Sequence, residues 1–375
     1  MISRNAERKC AILVALCMAV ALAFAACGGG GGSATSGQSA GEMTNTPTTT
    51  QGAQATPTPT LTDQTVIVLG GNVMNAVHRA LPGATVIFPP GKYGAFTLSA
   101  ADLQGPITLL ADVTGTLTET SAAPVVVDAS PGQAAIALSN IPDTSAVVLD
   151  GFTLRSGTTA GIVVDNSPGT IIEDCILESN PGDGARFDGS HGSLLFNSLI
   201  INNSGAGVRV IGTDDAGIFN NTLYHNADTG ISIGDSLGAV VENNIINENG
   251  VSENGQFGIV VAEDSVSDYS GDYNLNYDPN NGSPYSPMSI KGAHDLMYLP
   301  QFIDPDELYL NFHLAPTSPA IDAGDPNTPA SLLDLLQERT TQPDCTLDFQ
   351  PVDLGYHYPT TDPSCPKATP TPRKK

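Results

Sequence analysis

Apolar residues in the middle of this chain recur in columns. Ile162, Ala185, Val208 and Ile231 stand 23 residues apart, and so do Val164, Phe187, Val210 and Ile233 two positions on. The positions between them hold Val163, Arg186, Arg209 and Ser232. Alternation with period two predicts a strand whose first two columns face inward and whose middle column faces out. A second strand follows, with Ile172, Leu195, Ile218 and Val241 inward and Glu173, Phe196, Phe219 and Glu242 outward. A third carries Leu177, Ile200, Leu223 and Ile246. An interval in the twenties, repeated without slippage, predicts a solenoid in which equivalent residues stack. With three short strands per turn, each pairing with its equivalent one turn later, the expected fold is an all-β parallel β-helix with rungs about 4.8 Å apart.

The polar positions keep the same interval. Asn180, Asn203, Asn226 and Asn249 form one column, and Asp174, Asn197, Asn220 and Asn243 a second. Gly161, Gly184, Gly207 and Gly230 form a third, and Cys175, Ser198, Asn221 and Asn244 a fourth. Asn and Gly between strands are expected to supply left-handed corners, and stacked Asn side chains to hydrogen-bond from rung to rung. Cys175 is expected to be a small buried substitute and not a reactive thiol. After Gly230 the interval to Gly258 grows to 28, and the polar run "ENGVSENGQ" is expected to bulge from a corner. Upstream, "QAAIALSNIPDTSAVVLDGFTLRSG" is a fainter rung. Thr65 to Tyr277 has room for roughly nine.

The chain divides into five expected parts. Residues 1–26, with Arg4, Arg8 and Lys9 before an apolar run, have the form of an export signal. Residues 27–62 are rich in Gly, Ser, Thr and Pro and cannot build a core, so they are expected to be a tether. Residues 63–277 are the coil, opened by a short helix within "VMNAVHRALPG" that caps its apolar end. Residues 278–362 form an irregular closing segment with a helix at "ASLLDLLQER", and 363–375 a disordered tail. Cys345 and Cys365 are expected to pair as a disulfide in an exported protein.

The formal charge of −25 argues against a nucleic-acid partner, which calls for a basic footprint. It also disfavours direct contact with an acidic polymer unless Ca²⁺ bridges the two. The plainer reading is that acidity keeps an exported protein soluble. The chain has no Trp, which removes the commonest ring for stacking on a sugar.

The 23-residue rungs of the type "GISIGDSLGAVVENNIINENG" and the entry motif "ALPGATVIFPPGKYGAF" are similar to those of the right-handed parallel β-helix, or pectate-lyase-like, superfamily. The resemblance covers roughly residues 64–360. "FHLAPTSPAIDAG" and "DLGYHY" look like the closing motif of bacterial surface β-helix proteins. "FAAC", followed by glycines, resembles a lipobox, with Phe24 where Leu is usual, and implies lipidation of Cys27. Right-handed coiling is implied as well. The superfamily includes polysaccharide lyases, hydrolases and epimerases and members without activity, so the fold alone does not choose a function.

A lyase needs a base beside a uronate carboxylate and a cation, often Ca²⁺, to neutralise it. Arg186 over Arg209, with Asp165 and Asp188 two residues on, is the best-placed set. The other reading is ordinary surface pairing of Arg with acids. For a hydrolase, Asp214, Asp215 and His191 are available. The His precedes the Asp pair, the reverse of the polygalacturonase-like order, no "RIK"-like element follows, and adjacent Asp residues suit a turn. Phe196 and Phe219, with Tyr224 and His225 nearby, form either a sugar platform or a patch that a loop covers. "DYSGDYNLNYDPNNG" offers Ca²⁺ ligands or a turn, and no metal site is assigned. Two functions follow. The first is a surface protein, held at the outer or cytoplasmic membrane by a lipid, that binds a polysaccharide or cell-envelope component along its coil without catalysis. The alternative is a polysaccharide lyase acting by β-elimination on a uronate polymer.

Overall fold

The computed structural model describes residues 64–129, 132–250, 257–279, 284–305 and 310–360. The expected signal, Cys27, the tether, the tail, Cys365 and most of the expected corner insertion lie outside them. Cys345 is disulfide-bonded.

Three parallel sheets wrap one apolar core. Sheet A has nine strands, from Thr65–Ile67 to Ser270–Asp272. Sheet B has eight, from Gly91–Gly94 to Leu275–Tyr277, and sheet C eight, from Phe96–Ser99 to Tyr285–Ser286. Each strand pairs with its equivalent one turn later. Ile162 lies beside Ala185, Val208 beside Ile231, and Leu177 beside Ile200. All the columns expected inward are buried, with Val210 at 0 % and Ile233 at 1 % exposure. Nothing interrupts the register between Ala160 and Asn249, because a slip of one residue would turn each apolar column to water.

Two polar ladders run through the interior. Asn180 Nδ2 donates to Asn203 Oδ1, Asn203 Nδ2 to Asn226 Oδ1, and Asn226 Nδ2 to Asn249 Oδ1, each at 2.8 Å. In the second, Ser198 Oγ, Asn221 Oδ1, Asn244 Oδ1 and Asn274 Oδ1 each accept the backbone N–H of the preceding rung. A third ladder, of hydroxyls, went unread in the sequence. Ser167, Ser190, Thr213, Ser236 and Ser265 accept successive backbone N–H groups in the same way. Every such bond satisfies a buried corner amide that the sheets leave unpaired. Cys175 sits at the start of the second ladder, fully buried, and burial pushes its thiol pKa up.

The expected left-handed corners are divided differently among the columns. Asp174, Asn197, Asn220 and Asn243 do take φ of +58, +43, +52 and +60°. In the other Asn column the strained residue is the one before it: Ser179, Asn202, His225 and Glu248 lie at +51 to +55°. The Gly161 column has no such φ. A Cβ on Gly184 would stand 2.6 Å from the carbonyl oxygen of Gly207 and from the Ile200 side chain. Glycine is needed there for close approach between rungs, not for its handedness.

Both ends of the coil are closed. Helix α1 (Val73–Arg79), N-capped by Asn72 Oδ1 on Asn75 N at 3.1 Å, lays Val73, Ala76 and Val77 on the core. At the other end Tyr285 and Ile290 join the core. Asp295 terminates the second ladder there, accepting from Asn274 N at 2.7 Å and Tyr285 Oη at 2.8 Å.

Candidate functional site

Coil geometry gives three long outer faces, and the closing segment occupies two of them. Helix α2 (Ala330–Leu336) presses Leu332 and Leu336, with Val352, onto Ile171, Leu194, Phe196 and Phe219 of sheet A. Phe312, Tyr356 and Tyr358 cover Leu199, Ile201 and Tyr224 of sheet B. The left-handed column at the corner between these sheets holds the segment in place. Asn197 accepts from His357 N at 2.7 Å and donates to His357 O at 3.0 Å. Asn243 Oδ1 accepts from Asp325 N at 2.8 Å, and Asp174 pairs with the guanidinium of Arg339.

This docking overturns the aromatic platform as a binding surface. Phe196, Phe219 and Tyr224 point outward from the coil as expected, but they are 1, 6 and 6 % exposed beneath the closing segment. A ligand cannot reach them. They are outer-face residues converted to core by chain that lies from about 80 to more than 150 positions away. His225 stays half-exposed, stacked on Tyr224 with centroids 4.0 Å apart and bonded to Glu248 at 3.0 Å.

Sheet C is different. Its outward column (Thr97, Ala137, Val163, Arg186, Arg209, Ser232) stays partly open along its length. No core cluster of the closing segment includes these residues. Among the described residues it is the face that the closing segment leaves uncovered along its whole length. Arg186 and Arg209 are paired across adjacent strands, as the sequence interval requires, with Asp165 and Asp188 one step on. Arg186 Nε donates to Asp188 Oδ2 at 2.8 Å. Arg209 is held more firmly: Nε and Nη2 reach the two oxygens of Asp183 at 2.8 and 3.1 Å, and Nη2 also reaches Asp228 at 2.8 Å. The bonds from Asp183, and then Asp228, outweigh the opposing effect of burial and raise the Arg209 pKa above its ordinary value. A guanidinium held in this way orients its neighbours but does not release its proton. Asp165 is exposed, accepting only a long bond from Ser139 Oγ at 3.4 Å. Beside Arg186, towards the start of the coil, lies a shallow groove of about 360 Å³, with Thr97, Ala137 and Val163 as floor and Gln133 and Thr159 on its wall. Nothing in the 23-residue columns announces it, because Gln133 and Thr159 stand at corners.

The remaining candidates lie at corners and last rungs of the coil and in the closing segment. Asp214 and Asp215 form a corner in which Asp215 has φ +56°. His191 sits one rung back, accepting from Asp214 N at 2.9 Å. Both Asp214 and His191 are about half-exposed. The described part of "DYSGDYNLNYDPNNG" forms the last rungs of sheets A and B. Its Asp272 is engaged by His294 Nδ1 at 2.7 Å. Three carboxylates that could hold a cation, Asp322, Asp348 and Asp353, bring oxygens within 4.8 Å of one another in the closing segment. Two of them accept bonds from within it. Asp353 takes Asp322 N at 2.7 Å and the Thr341 hydroxyl, and Asp348 takes Asp353 N at 2.8 Å and His357 Nε2 at 2.6 Å. These contacts brace the segment.

Residues 138–274 match the family model described as a right handed beta helix region. Among curated proteins, none matches. The chain is similar to the crystal structure of an alginate lyase from Paenibacillus sp. str. FPU-7, at 19% identity and TM-score 0.48 over 58% of this chain and 77% of that one. It is also similar to pectate lyase Pel9A, at 14% and 0.48 over 76% and 90%, and to the periplasmic alginate epimerase AlgG, at 13% and 0.39 over 63% and 55%.

Proposed function

Taking residues 138–274 as a right-handed β-helix region, we propose that this chain binds a polysaccharide lengthwise along the outer face of sheet C, without cleaving it. That uncovered face carries the proposal. The closing segment covers sheet A from Val148 to Val240 and sheet B from Ile176 to Tyr277, while sheet C keeps an open column that runs from the groove at Ala137 to the Arg186–Arg209 pair. Rungs about 4.8 Å apart match the length of one sugar unit, so an extended chain meets one outward side chain of the column at each step. Such contacts are individually weak and add through repetition.

The β-elimination reading is less well supported, because both of its base candidates are paired with acids: Arg186 with Asp188, and Arg209, which holds its proton more tightly than a free arginine, with Asp183 and Asp228. We further propose, on the residues around Cys27 alone, that the protein is exported and lipid-anchored at the cell envelope. Cys27→Ala is expected to move it from the membrane fraction to the soluble one.

The test of the binding reading is a glycan array followed by titration of the best binder. Arg186→Ala and Ala137→Ile are each expected to weaken binding at least about fivefold while the circular-dichroism spectrum stays unchanged. Unaltered affinity in both variants removes sheet C from the function. Release of unsaturated product, seen as ultraviolet absorbance with any uronate polymer, would instead restore the lyase reading.

A further inference from the structure

Resting on that binding face, we infer that its ligand is an uncharged polysaccharide, and that the face selects against uronate polymers. The charges on the face decide this. Its two cations are already paired, Arg186 with Asp188 and Arg209 with Asp183 and Asp228. A uronate carboxylate that took the terminal amino groups of Arg186 would lie beside the Asp188 carboxylate already bonded to its Nε. Asp165 also stands exposed one strand from Arg186. The acids of the face outnumber its arginines, so a polyanion meets net repulsion here, inside one Debye length of about 8 Å. The whole chain, at −25, repels it at longer range.

Sugar hydroxyls make the opposite demand. A hydroxyl donates and accepts at once. A guanidinium beside a carboxylate offers donor and acceptor together without needing a counter-charge. Arg186 is bonded through Nε alone among the described residues, leaving its terminal amino groups for ligand oxygens, while Asp165 offers acceptor oxygens next to it. The side chains of Thr97, Ala137 and Val163 that line the groove are small and largely apolar, which suits the C–H face of a pyranose ring.

The experiment compares one backbone with and without its charge. The full chain is titrated calorimetrically with fully methyl-esterified oligogalacturonide and with the same oligomer as free acid, each with and without Ca²⁺. Xylan and glucomannan serve as further neutral arms. The tightest binder is expected to be uncharged, with the free acid at least about tenfold weaker than its ester or than the best neutral polymer. Raising the salt, or Asp165→Asn, is expected to narrow that gap. Free acid binding as tightly as every neutral arm, with or without Ca²⁺, overturns the inference but leaves the glycan-binding face standing. Absence of binding in all arms overturns both.

Discussion

Replacing Asn203 with Ala probes the ladder that sets the rung geometry. Asn203 is 1 % exposed, and its side chain makes four bonds. Oδ1 accepts from Asn180 N at 3.1 Å and Asn180 Nδ2 at 2.8 Å, while Nδ2 donates to Leu177 O at 3.0 Å and Asn226 Oδ1 at 2.8 Å. Three of the four partners keep another bond after the change. Asn180 Nδ2 still reaches Leu154 O at 3.2 Å, and Asn226 Oδ1 still accepts Asn203 N at 3.2 Å. Leu177 O keeps its ladder partner across the Leu177–Ile200 pair, so Asn180 N alone is left buried and unpaired. At about 1–3 kcal/mol for an orphaned group, the loss is a sizeable part of a typical domain's stability. Because stability in a solenoid passes between neighbouring rungs, the damage is expected to centre on the coil around Leu177–Asn226. The assay is urea unfolding followed by far-ultraviolet circular dichroism, with the outward Ser232→Ala as control. A destabilisation below about 1 kcal/mol, or one no greater than the control's, refutes the ladder's role.

Three further outcomes are expected. Arg339→Met leaves Asp174 without its cation at a largely buried site and is expected to cost on the order of 3 kcal/mol, read as faster proteolysis within residues 310–360 while the coil's spectrum persists. Burial first, and then the charges of Asp325 and Asp272, push the Glu242 carboxyl from 4.5 up to about 7. The folded state therefore holds a proton that the unfolded chain has lost, and stability falls as pH rises from 4.5 to 7 by about 3 kcal/mol. In Glu242→Gln this contribution to the slope should vanish, and an unchanged slope in pH-dependent unfolding contradicts the assignment. Cys175, with no exposure and a raised pKa, should react with a thiol reagent only as fast as the coil unfolds; rapid modification of the native protein would place the thiol elsewhere.

The coil was legible because its rule is local and repeated. Val210 and Ile233 must both face inward if either does, and each of the four rungs restates the pattern. The Asn203 and Asn221 ladders were visible for the same reason, since identical polar residues recur where a corner needs a side-chain acceptor. The hydroxyl ladder through Ser190 and Thr213 was missed, because Ser and Thr at a corner look like ordinary turn residues until the backbone N–H they accept is seen. The fate of Phe196, Phe219 and Tyr224 was not legible at all. Whether an outward aromatic meets water or protein depends on residues 302–358, and no interval relates Leu332 or Tyr356 to the rungs they cover. The binding face was half legible: the Arg186–Arg209 pairing followed from the 23-residue interval, but the groove at Ala137 is framed by Gln133 and Thr159, outside the strand columns. The partners of Arg209 also come from different rungs, Asp183 from one turn back and Asp228 from the next corner, so its locked state emerges only when the coil is assembled.

The most direct test of the account is a crystal structure of the chain with a bound neutral oligosaccharide. The sugar is expected to run along the coil axis over Ala137, Val163 and Arg186, with hydroxyls bonded to the free amino groups of Arg186. A sugar seated instead on the closing segment, or at the ends of the coil with sheet C empty, would contradict it.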